Sequence, residues 1–340
     1  MNIIFAILIF GFLIFIHELG HYLFARKFNV DIEEFSIGMG PKLFSRVSKK
    51  TGILYSLRLF PIGGYVSMNG EDSESESENA FGNKPVWQRI IITAAGGVIN
   101  IIVGILVMCI FVACSPQLGS TVVAQFNEDA LSAQYGLEIN DQIIKVNSTR
   151  VYSSTELLYE IMHDGTEPID LTVIRDGEEI ILRDVQFGTD DSEGIVVGNP
   201  DFMVYGLEKN FKNVAYQSFG YSGLAIRQVW ESLWDLITGK YGINELSGPV
   251  GTTEVIGEAA KQGFIYVIYL AALISVNLGI LNLLPIPALD GGRIVFLIVE
   301  AIRKKKLPNN IEAKIHYVGI VLLMMLMLIV TCKDVINLFK

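Results

Sequence analysis

The amino-acid sequence predicts an α-helical polytopic membrane protein into which one soluble α+β module is inserted. Three observations indicate this fold class: an excess of apolar residues, four long apolar stretches, and an acidic β-rich segment between the second and third stretches. Apolar residues make up 51% of the 340 positions and charged residues only 18%, whereas a soluble globular chain carries roughly 25% charged residues. The mean hydropathy of +0.44 therefore indicates that much of the surface faces lipid.

The four apolar stretches are long enough to cross a hydrocarbon core of about 30 Å, which takes around 20 helical residues. They are Ile3–Phe24, Ile90–Cys114, Phe264–Leu284 and Ile315–Thr331. The first stretch lacks a basic start and a small-residue cleavage site, so we predict a retained helix and not a secretory signal peptide.

Charge is distributed unevenly between these stretches. Residues 115–263 contain 9 Lys and Arg against 23 Asp and Glu, in a chain whose net charge is −10. Such a chain offers no clustered cations for phosphates, so no nucleic-acid partner is predicted. The loop 25–89 and the segment before the last span are rich in Lys and Arg, which predicts that both are cytoplasmic and that the acidic module lies outside. The acidic run at 70–79 is predicted to be a solvated loop.

The sequence His17-Glu18-Leu19-Gly20-His21 lies inside the first apolar stretch. Its spacing places both imidazoles on one helix face, where they can bind one zinc ion. Glu18 can act as the general base on zinc-activated water without being a ligand. An ionisable residue in a spanning helix costs on the order of 3 kcal/mol, so three within five positions indicate a functional site. The alternative is a polar cluster that holds helices together.

A third ligand is expected because catalytic zinc sites usually use three protein ligands and leave one position open for water. The best candidate is Asp290, in the segment Asn-Leu-Leu-Pro-Ile-Pro-Ala-Leu-Asp-Gly-Gly that begins at Asn282. Two prolines break the third span, and the paired glycines let the chain turn. A broken segment at membrane depth is tolerated only where it lines a cavity or is buried in protein. We therefore expect Asp290 to meet the His pair, with capping of the next helix as its alternative role.

The HELGH motif, the NLLPIPALDGG segment and the acidic module between them resemble the site-2 proteases, a family of intramembrane zinc metalloproteases. The resemblance is to the bacterial RseP/RasP group in particular and covers essentially the whole chain. It implies that His17, His21 and Asp290 bind zinc and that Glu18 is the general base.

Two further segments resemble this family. Residues 60–68 are similar to its re-entrant β element, whose exposed edge can pair with an unwound substrate; an ordinary hairpin is the alternative. Residues 95–100, Ala-Gly-Gly-Val-Ile-Asn, are similar to its small-residue stretch in the second membrane helix. The residues predicted to bind substrate are Gly63, Gly64, Tyr65, Asn100 and Asn282. For the two asparagines, a hydrogen bond between helices without substrate contact is the alternative.

Residues 115–200 are predicted to form one α+β PDZ domain. Short β-rich runs are separated by Gly, Asn and Asp, a helical pattern covers Ser154–Met162, and the run 136–147 resembles the corresponding part of a PDZ domain. The chain is thus similar to the single-PDZ members of the family, in which this domain is implied to restrict substrate access. Residues 201–263 are predicted to be an amphipathic connector that lies at the membrane interface or packs on the PDZ domain.

The sequence thus predicts an intramembrane zinc metalloendopeptidase, multi-pass in a bacterial cytoplasmic membrane, whose protease core comprises residues 1–114 and 264–340. The resemblance implies single-pass membrane substrates, such as anti-sigma factors or remnant signal peptides, already cut by a site-1 type protease. A membrane-anchored PDZ scaffold with a structural zinc site is the alternative, and it needs a fourth protein ligand. A metal transporter is disfavoured because the second and fourth spans are poor in polar groups.

Overall fold

The computed structural model describes residues 2–71, 75–191, 196–239, 246–306 and 308–337. The chain divides into two compact units. The first unit comprises Met1–Val107 and Gln228–Lys340, and the second comprises Met108–Arg227. The predicted acidic loop at 70–79 falls partly on residues 72–74, which lie outside the described ranges.

Four helices of the described chain are long and apolar enough to cross a membrane, at Ile3–Lys27, Val86–Cys114, Phe264–Leu283 and Ile311–Ile336. The shortest of these spans has 20 residues and is therefore about 30 Å long, which matches the hydrocarbon core. The prediction of a polytopic membrane protein is confirmed. The helices are α1 (Asn2–Lys27), α2 (Val86–Cys114), α3 (Leu131–Gln134), α4 (Ser154–Asp164), α5 (Phe211–Thr238), α6 (Pro249–Gln262), α7 (Phe264–Leu283), α8 (Asp290–Arg303) and α9 (Asn309–Asn337).

The predicted β element follows α1 and consists of two long strands, β1 (Ile32–Val47) and β2 (Leu54–Met68). The first part of β1, residues 32–37, pairs with 64–68 along one side and with 54–57 along the other. Among the described residues, the segment 64–68 pairs on one side only, so it is an edge of this small sheet. Phe35 of β1 packs its ring against Phe15 and Tyr22 of α1, with centroids 6.1 and 5.2 Å away. These contacts hold the sheet beside α1.

The third span breaks as predicted. Helix α7 ends at Leu283 and α8 begins at Asp290, because Pro285 and Pro287 between them cannot continue a helix. A Cβ atom on Gly291 would lie 2.0 Å from the carbonyl oxygen of Leu284. Only glycine therefore lets the first turn of α8 approach the preceding backbone so closely. Asp290 is the first residue of α8.

The last helix anchors the start of α6. The Asp334 carboxylate of α9 accepts hydrogen bonds of 2.9 Å from the backbone N–H groups of Gly248 and Gly251. A carboxylate is favourable here because the first N–H groups of a helix lack intrahelical partners and carry a partial positive charge. The Leu-Ser-Gly-Pro-Val-Gly sequence at 246–251 thus ties α6 to α9.

The second unit has the mixed α and β content expected of residues 115–200. Its strands are β3 (Leu118–Phe126), β4 (Gln142–Val146), β5 (Thr149–Arg150), β6 (Ile169–Arg175), β7 (Glu178–Val185), β8 (Gly188–Asp190), β9 (Val197–Asn199) and β10 (Phe202–Leu207). The described main sheet has the order β10-β3-β4-β6-β7, with β5 beside β4. Helix α4 packs on it around the fully buried Leu157 and Ile161. Strand β10 extends the sheet beyond residue 200, and the domain boundaries stay predictions.

Candidate metal centre

Two imidazoles of α1 converge at the centre of the site. His17 and His21 are one helical turn apart, and their Nε2 atoms lie 3.2 Å from each other. The rings are close to perpendicular, at 82°, so both Nε2 atoms point to one place without the rings stacking. The i, i+4 spacing in the sequence accounts for this arrangement.

Asp290 completes a group of three possible ligands. Its Oδ2 atom lies 3.2 Å from Nε2 of His17 and 3.3 Å from Nε2 of His21. Zinc at 2.0–2.1 Å from tetrahedral nitrogen and oxygen ligands places those ligands roughly 3.3 Å apart. Oδ2 is also buried and receives no hydrogen bond from the described residues. The spacing and the donor set therefore fit one zinc ion.

Helix α2 supports the two imidazoles from behind. Nδ1 of His21 lies 2.9 Å from the backbone carbonyl of Ile92, which can only accept, so this nitrogen carries the proton and Nε2 keeps its lone pair for a metal. The amide nitrogen of Asn100 lies 3.3 Å from Nδ1 of His17. Both ring nitrogens that face away from the ligand cluster thus meet a polar group of α2.

Gly96 lets the imidazoles come this close to α2. A Cβ atom at this position would lie 2.3 Å from Nε2 of His21 and 2.7 Å from Cε1 of His17. Gly20 on α1 allows the same close approach from the other helix, since a Cβ atom there would lie 2.6 Å from the carbonyl oxygen of Ala95. The small-residue stretch that the sequence analysis assigned to helix packing therefore forms one wall of the metal centre.

Glu18 lines a cavity of about 180 Å³ beside the three ligands, together with Tyr65 and Val66 of β2. Gly64 lies directly opposite it, because a Cβ there would be 3.0 Å from Cγ of Glu18. The cluster of possible metal ligands in the described chain contains His17, His21 and Asp290 but not Glu18. Glu18 thus lies on the cavity wall and outside the group of possible ligands.

A partly buried ionic network stabilises the β element next to this cavity. Glu34 accepts hydrogen bonds from Ser56 at 2.5 Å and from Arg58 at 2.9 Å, and Arg58 also donates to the hydroxyl of Tyr65. Burial alone would raise the pKa of Glu34, but the bonds from Ser56, Arg58 and Lys42 outweigh it and lower the pKa to about 2. Glu34 is thus ionised at neutral pH and holds Arg58, and through it Tyr65, in place.

The other predicted residues are less directly connected to the cluster. Gly63 adopts a left-handed backbone conformation, with φ of 89°, next to the side chain of Met39. Asn282 is half-buried in the last turn of α7, and none of the described hydrogen bonds involves its side chain. The substrate roles of Gly63, Gly64, Tyr65, Asn100 and Asn282 stay predictions.

The remaining histidines are not part of the cluster. His163 pairs with Asp164 in the second unit, with Nδ1 and Oδ1 2.7 Å apart. Nδ1 of His316 accepts a 3.0 Å hydrogen bond from the backbone N–H of Ala288. It thus braces the chain two residues before Asp290.

Three residues that line the cavity were not predicted from the sequence, namely Glu71, Thr93 and Arg293. Arg293 forms an ion pair with Glu71, and its Nε lies 3.9 Å from Glu312. A second cavity of about 390 Å³ shares Glu71, Asp290 and Arg293 with the first. Arg293 follows Asp290 by one helical turn, so the two residues share one face of α8. The sequence therefore indicates that Arg293 lies near the site if Asp290 does.

The site combines two histidines and a glutamate of one apolar helix with an aspartate from a broken helical segment. This combination is typical of a metallohydrolase that is embedded in a membrane. The sequence profile of peptidase family M50 matches residues 5–326. A putative zinc metalloprotease of Clostridium acetobutylicum is 35% identical over 336 residues, covering 98% of this chain and 97% of the relative. The regulator of sigma-W protease RasP of Bacillus subtilis is 32% identical over 423 aligned residues, covering 99% of each chain.

The chain belongs to peptidase family M50. It is a zinc metalloendopeptidase of the site-2 protease type, which confirms the resemblance drawn from its motifs.

Proposed function

We propose that His17, His21 and Asp290 hold the catalytic zinc and that Glu18 is the general base of an intramembrane peptide hydrolysis. The observation that carries this proposal is the convergence of three metal-ligand atoms at 3.2–3.3 Å on and beside a candidate membrane span. A structural zinc site would need a fourth protein ligand, and the described residues provide a cluster of three. The scaffold alternative is therefore disfavoured.

Zinc, when bound, acts as a Lewis acid that lowers the pKa of a water molecule to about 7. Glu18 takes a proton from the attacking water as the new C–O bond forms at the scissile carbonyl. It then gives that proton to the leaving nitrogen as the C–N bond breaks, so the products are an amine and a carboxylic acid, which loses its remaining proton to solvent at neutral pH. The position of Glu18 on the cavity wall suits both transfers.

The edge segment 64–68 is proposed to hold the substrate. Peptide bonds in a helix have their carbonyls engaged in hydrogen bonds, so a membrane-spanning substrate must unwind before attack. A strand edge supplies replacement backbone partners for an unwound segment. Gly64 lies opposite Glu18, so a strand paired along Gly63, Gly64 and Tyr65 would pass the base. Asn100 and Asn282 complete the predicted substrate-binding residues.

The proposed substrates are single-pass membrane proteins that a site-1 type protease has already shortened. The name of the Bacillus subtilis relative, a regulator of sigma-W protease, supports anti-sigma factors as one class, and remnant signal peptides are another. The proposed location is the cytoplasmic membrane of a bacterium. Residues 115–200 are proposed to form a PDZ domain outside this membrane that restricts access, since the Lys and Arg of loop 25–89 favour the cytoplasm.

Ligand removal tests the proposal. His17→Ala, His21→Ala and Asp290→Ala are each expected to lose zinc and cleavage of a single-pass substrate in detergent, because each removes one of three ligands. His163→Ala is the matched control, since His163 pairs with Asp164 in the second unit, and it should keep both properties. Stoichiometric zinc in any of the three ligand variants would contradict the assignment of that residue.

A further inference from the structure

Asn100 lies in α2, and its side chain makes one polar contact with the described residues. The residue is fully buried, and its amide nitrogen lies 3.3 Å from Nδ1 of His17. The amide oxygen has no hydrogen-bond partner among the described residues. Buried polar atoms are normally paired, but one of the two amide atoms faces no described partner in either orientation of the amide, so the choice of orientation depends on the imidazole.

The protonation of His17 shows which amide atom belongs at this contact. Nε2 of His17 faces Asp290 and His21, so in a metal site it must hold a lone pair. A neutral imidazole then carries its proton on Nδ1, which becomes a donor and needs an acceptor. The amide nitrogen is also a donor, so the two groups mismatch. A half-turn of the amide brings its oxygen to Nδ1–H, and the oxygen and nitrogen of an asparagine have nearly the same shape.

The other histidine has the same arrangement, which supports this orientation. His21 donates from Nδ1 to the carbonyl of Ile92. Ile92, Gly96 and Asn100 are spaced i, i+4 and i+8, so they share one face of α2. Gly96 makes room for the rings, and the residues one turn before and one turn after it each meet one ring.

We propose that Asn100 is a positioning residue whose amide oxygen accepts the Nδ1–H of His17. This bond fixes the tautomer and the direction of the ring, so that Nε2 is held ready for zinc before the metal arrives. The proposal rests on zinc ligation by His17, and it differs from the predicted role of Asn100 in substrate binding. Substrate binding would use the amide as a donor to a carbonyl or a developing oxyanion, whereas positioning uses it as an acceptor.

Two substitutions separate the acceptor role from the donor role. Asn100→Leu removes both functions at similar volume, and Asn100→Asp keeps an acceptor while removing the donor. Loss of such a partner typically weakens metal binding 10- to 100-fold. We expect the zinc dissociation constant, measured by chelator competition in detergent, to rise about 10- to 100-fold in Asn100→Leu. In Asn100→Asp it should stay within about threefold of the parent or decrease, because a carboxylate is a stronger acceptor.

Ser275→Ala is the matched control. The hydroxyl of Ser275 donates to the backbone carbonyl of Asn100 at 2.7 Å, so this variant removes a buried hydrogen bond to the same residue without touching its amide. Its zinc affinity should match that of the parent. Thermal unfolding of the metal-free variants reports whether each one folds, and Asn100→Ala replaces Asn100→Leu if the leucine is not accommodated.

Equal zinc affinity in the parent, Asn100→Leu and Asn100→Asp would overturn the positioning role. Loss of cleavage in both variants with that unchanged affinity would instead show a donor role toward substrate. Failure of the underlying site is visible separately, since His17→Ala would then bind zinc as tightly as the parent does.

Discussion

Gly96→Ala tests the packing that forms the metal centre. The added Cβ would lie 2.3 Å from Nε2 of His21 and 2.7 Å from Cε1 of His17. Ordinary contacts need at least 3.4 Å, so the rings must move by about 1 Å or the two helices must separate. Metal ligands tolerate displacements of about 0.2 Å. The substitution should therefore disable the site even though it adds a single methyl group.

We expect Gly96→Ala to weaken zinc binding at least about 100-fold. A 1 Å misplacement of a catalytic group lowers the reaction rate by a similar factor. The assay is zinc content and chelator competition, followed by cleavage of a single-pass substrate. Gly104→Ala is the control. Its Cβ would lie 2.6 Å from Cγ2 of Val276, so it also overpacks α2, but against α7 and away from the imidazoles.

The control should lose stability, by about 1–3 kcal/mol for an overpacked contact, and should still bind zinc. Zinc affinity within about threefold of the parent in Gly96→Ala would refute the described approach of α1 to α2. Equal loss of zinc in both variants would show that overpacking anywhere along α2 disrupts the site. The loss in Gly96→Ala could then not be assigned to its contact with the imidazoles.

Three further predictions concern neighbouring parts of the first unit. Gly64→Ala should lower kcat on the order of tenfold with unchanged zinc content, because its Cβ meets Cγ of Glu18 at 3.0 Å and displaces the base by less than 1 Å; unchanged kcat would contradict this contact. Arg89→Met should destabilise the protein by about 1–3 kcal/mol in detergent unfolding, because the partly buried Glu300, bound at 2.5 and 3.0 Å, loses its charged partner. Arg89→Met with Glu300→Leu should recover most of that loss. The pKa of Glu34 is lowered to about 2, so Glu34 stabilises the β element fully above about pH 5 and loses this contribution as the pH falls toward 2. Glu34→Gln should therefore reduce the dependence of unfolding on pH in this range. An unchanged pH profile in Glu34→Gln would contradict the stabilising role of the network.

Local patterns in the sequence predicted the parts of the site that depend on one segment at a time. The i, i+4 histidines share a helix face whatever surrounds them, and prolines end a helix whatever follows. Their combination in a membrane-spanning stretch indicated a site because buried ionisable groups are costly there. The meeting of Asp290 with the His pair was a prediction from chemistry, and the structure places these three residues together.

Contacts between distant segments could not be predicted in the same way. The pairing of Arg293 with Glu71 and the hydrogen bond from Ala288 to His316 depend on how two helices and two connecting segments pack. The double pairing of residues 34–37 with two parts of β2 depends on strand register, for which a single strand carries little information. Asn100 was recognised as a polar group at membrane depth, but its contact with His17 required the position of α2 relative to α1.

Glu18→Gln separates the proposed base of the zinc-dependent hydrolysis from the proposed zinc ligands. Zinc content and cleavage of a single-pass membrane substrate are measured on the variant and the parent in the same detergent. We expect stoichiometric zinc in both proteins and no cleavage by Glu18→Gln, because the amide cannot take the proton while the three ligands are untouched. Cleavage by the zinc-loaded variant at the rate of the parent would show that Glu18 is not the base.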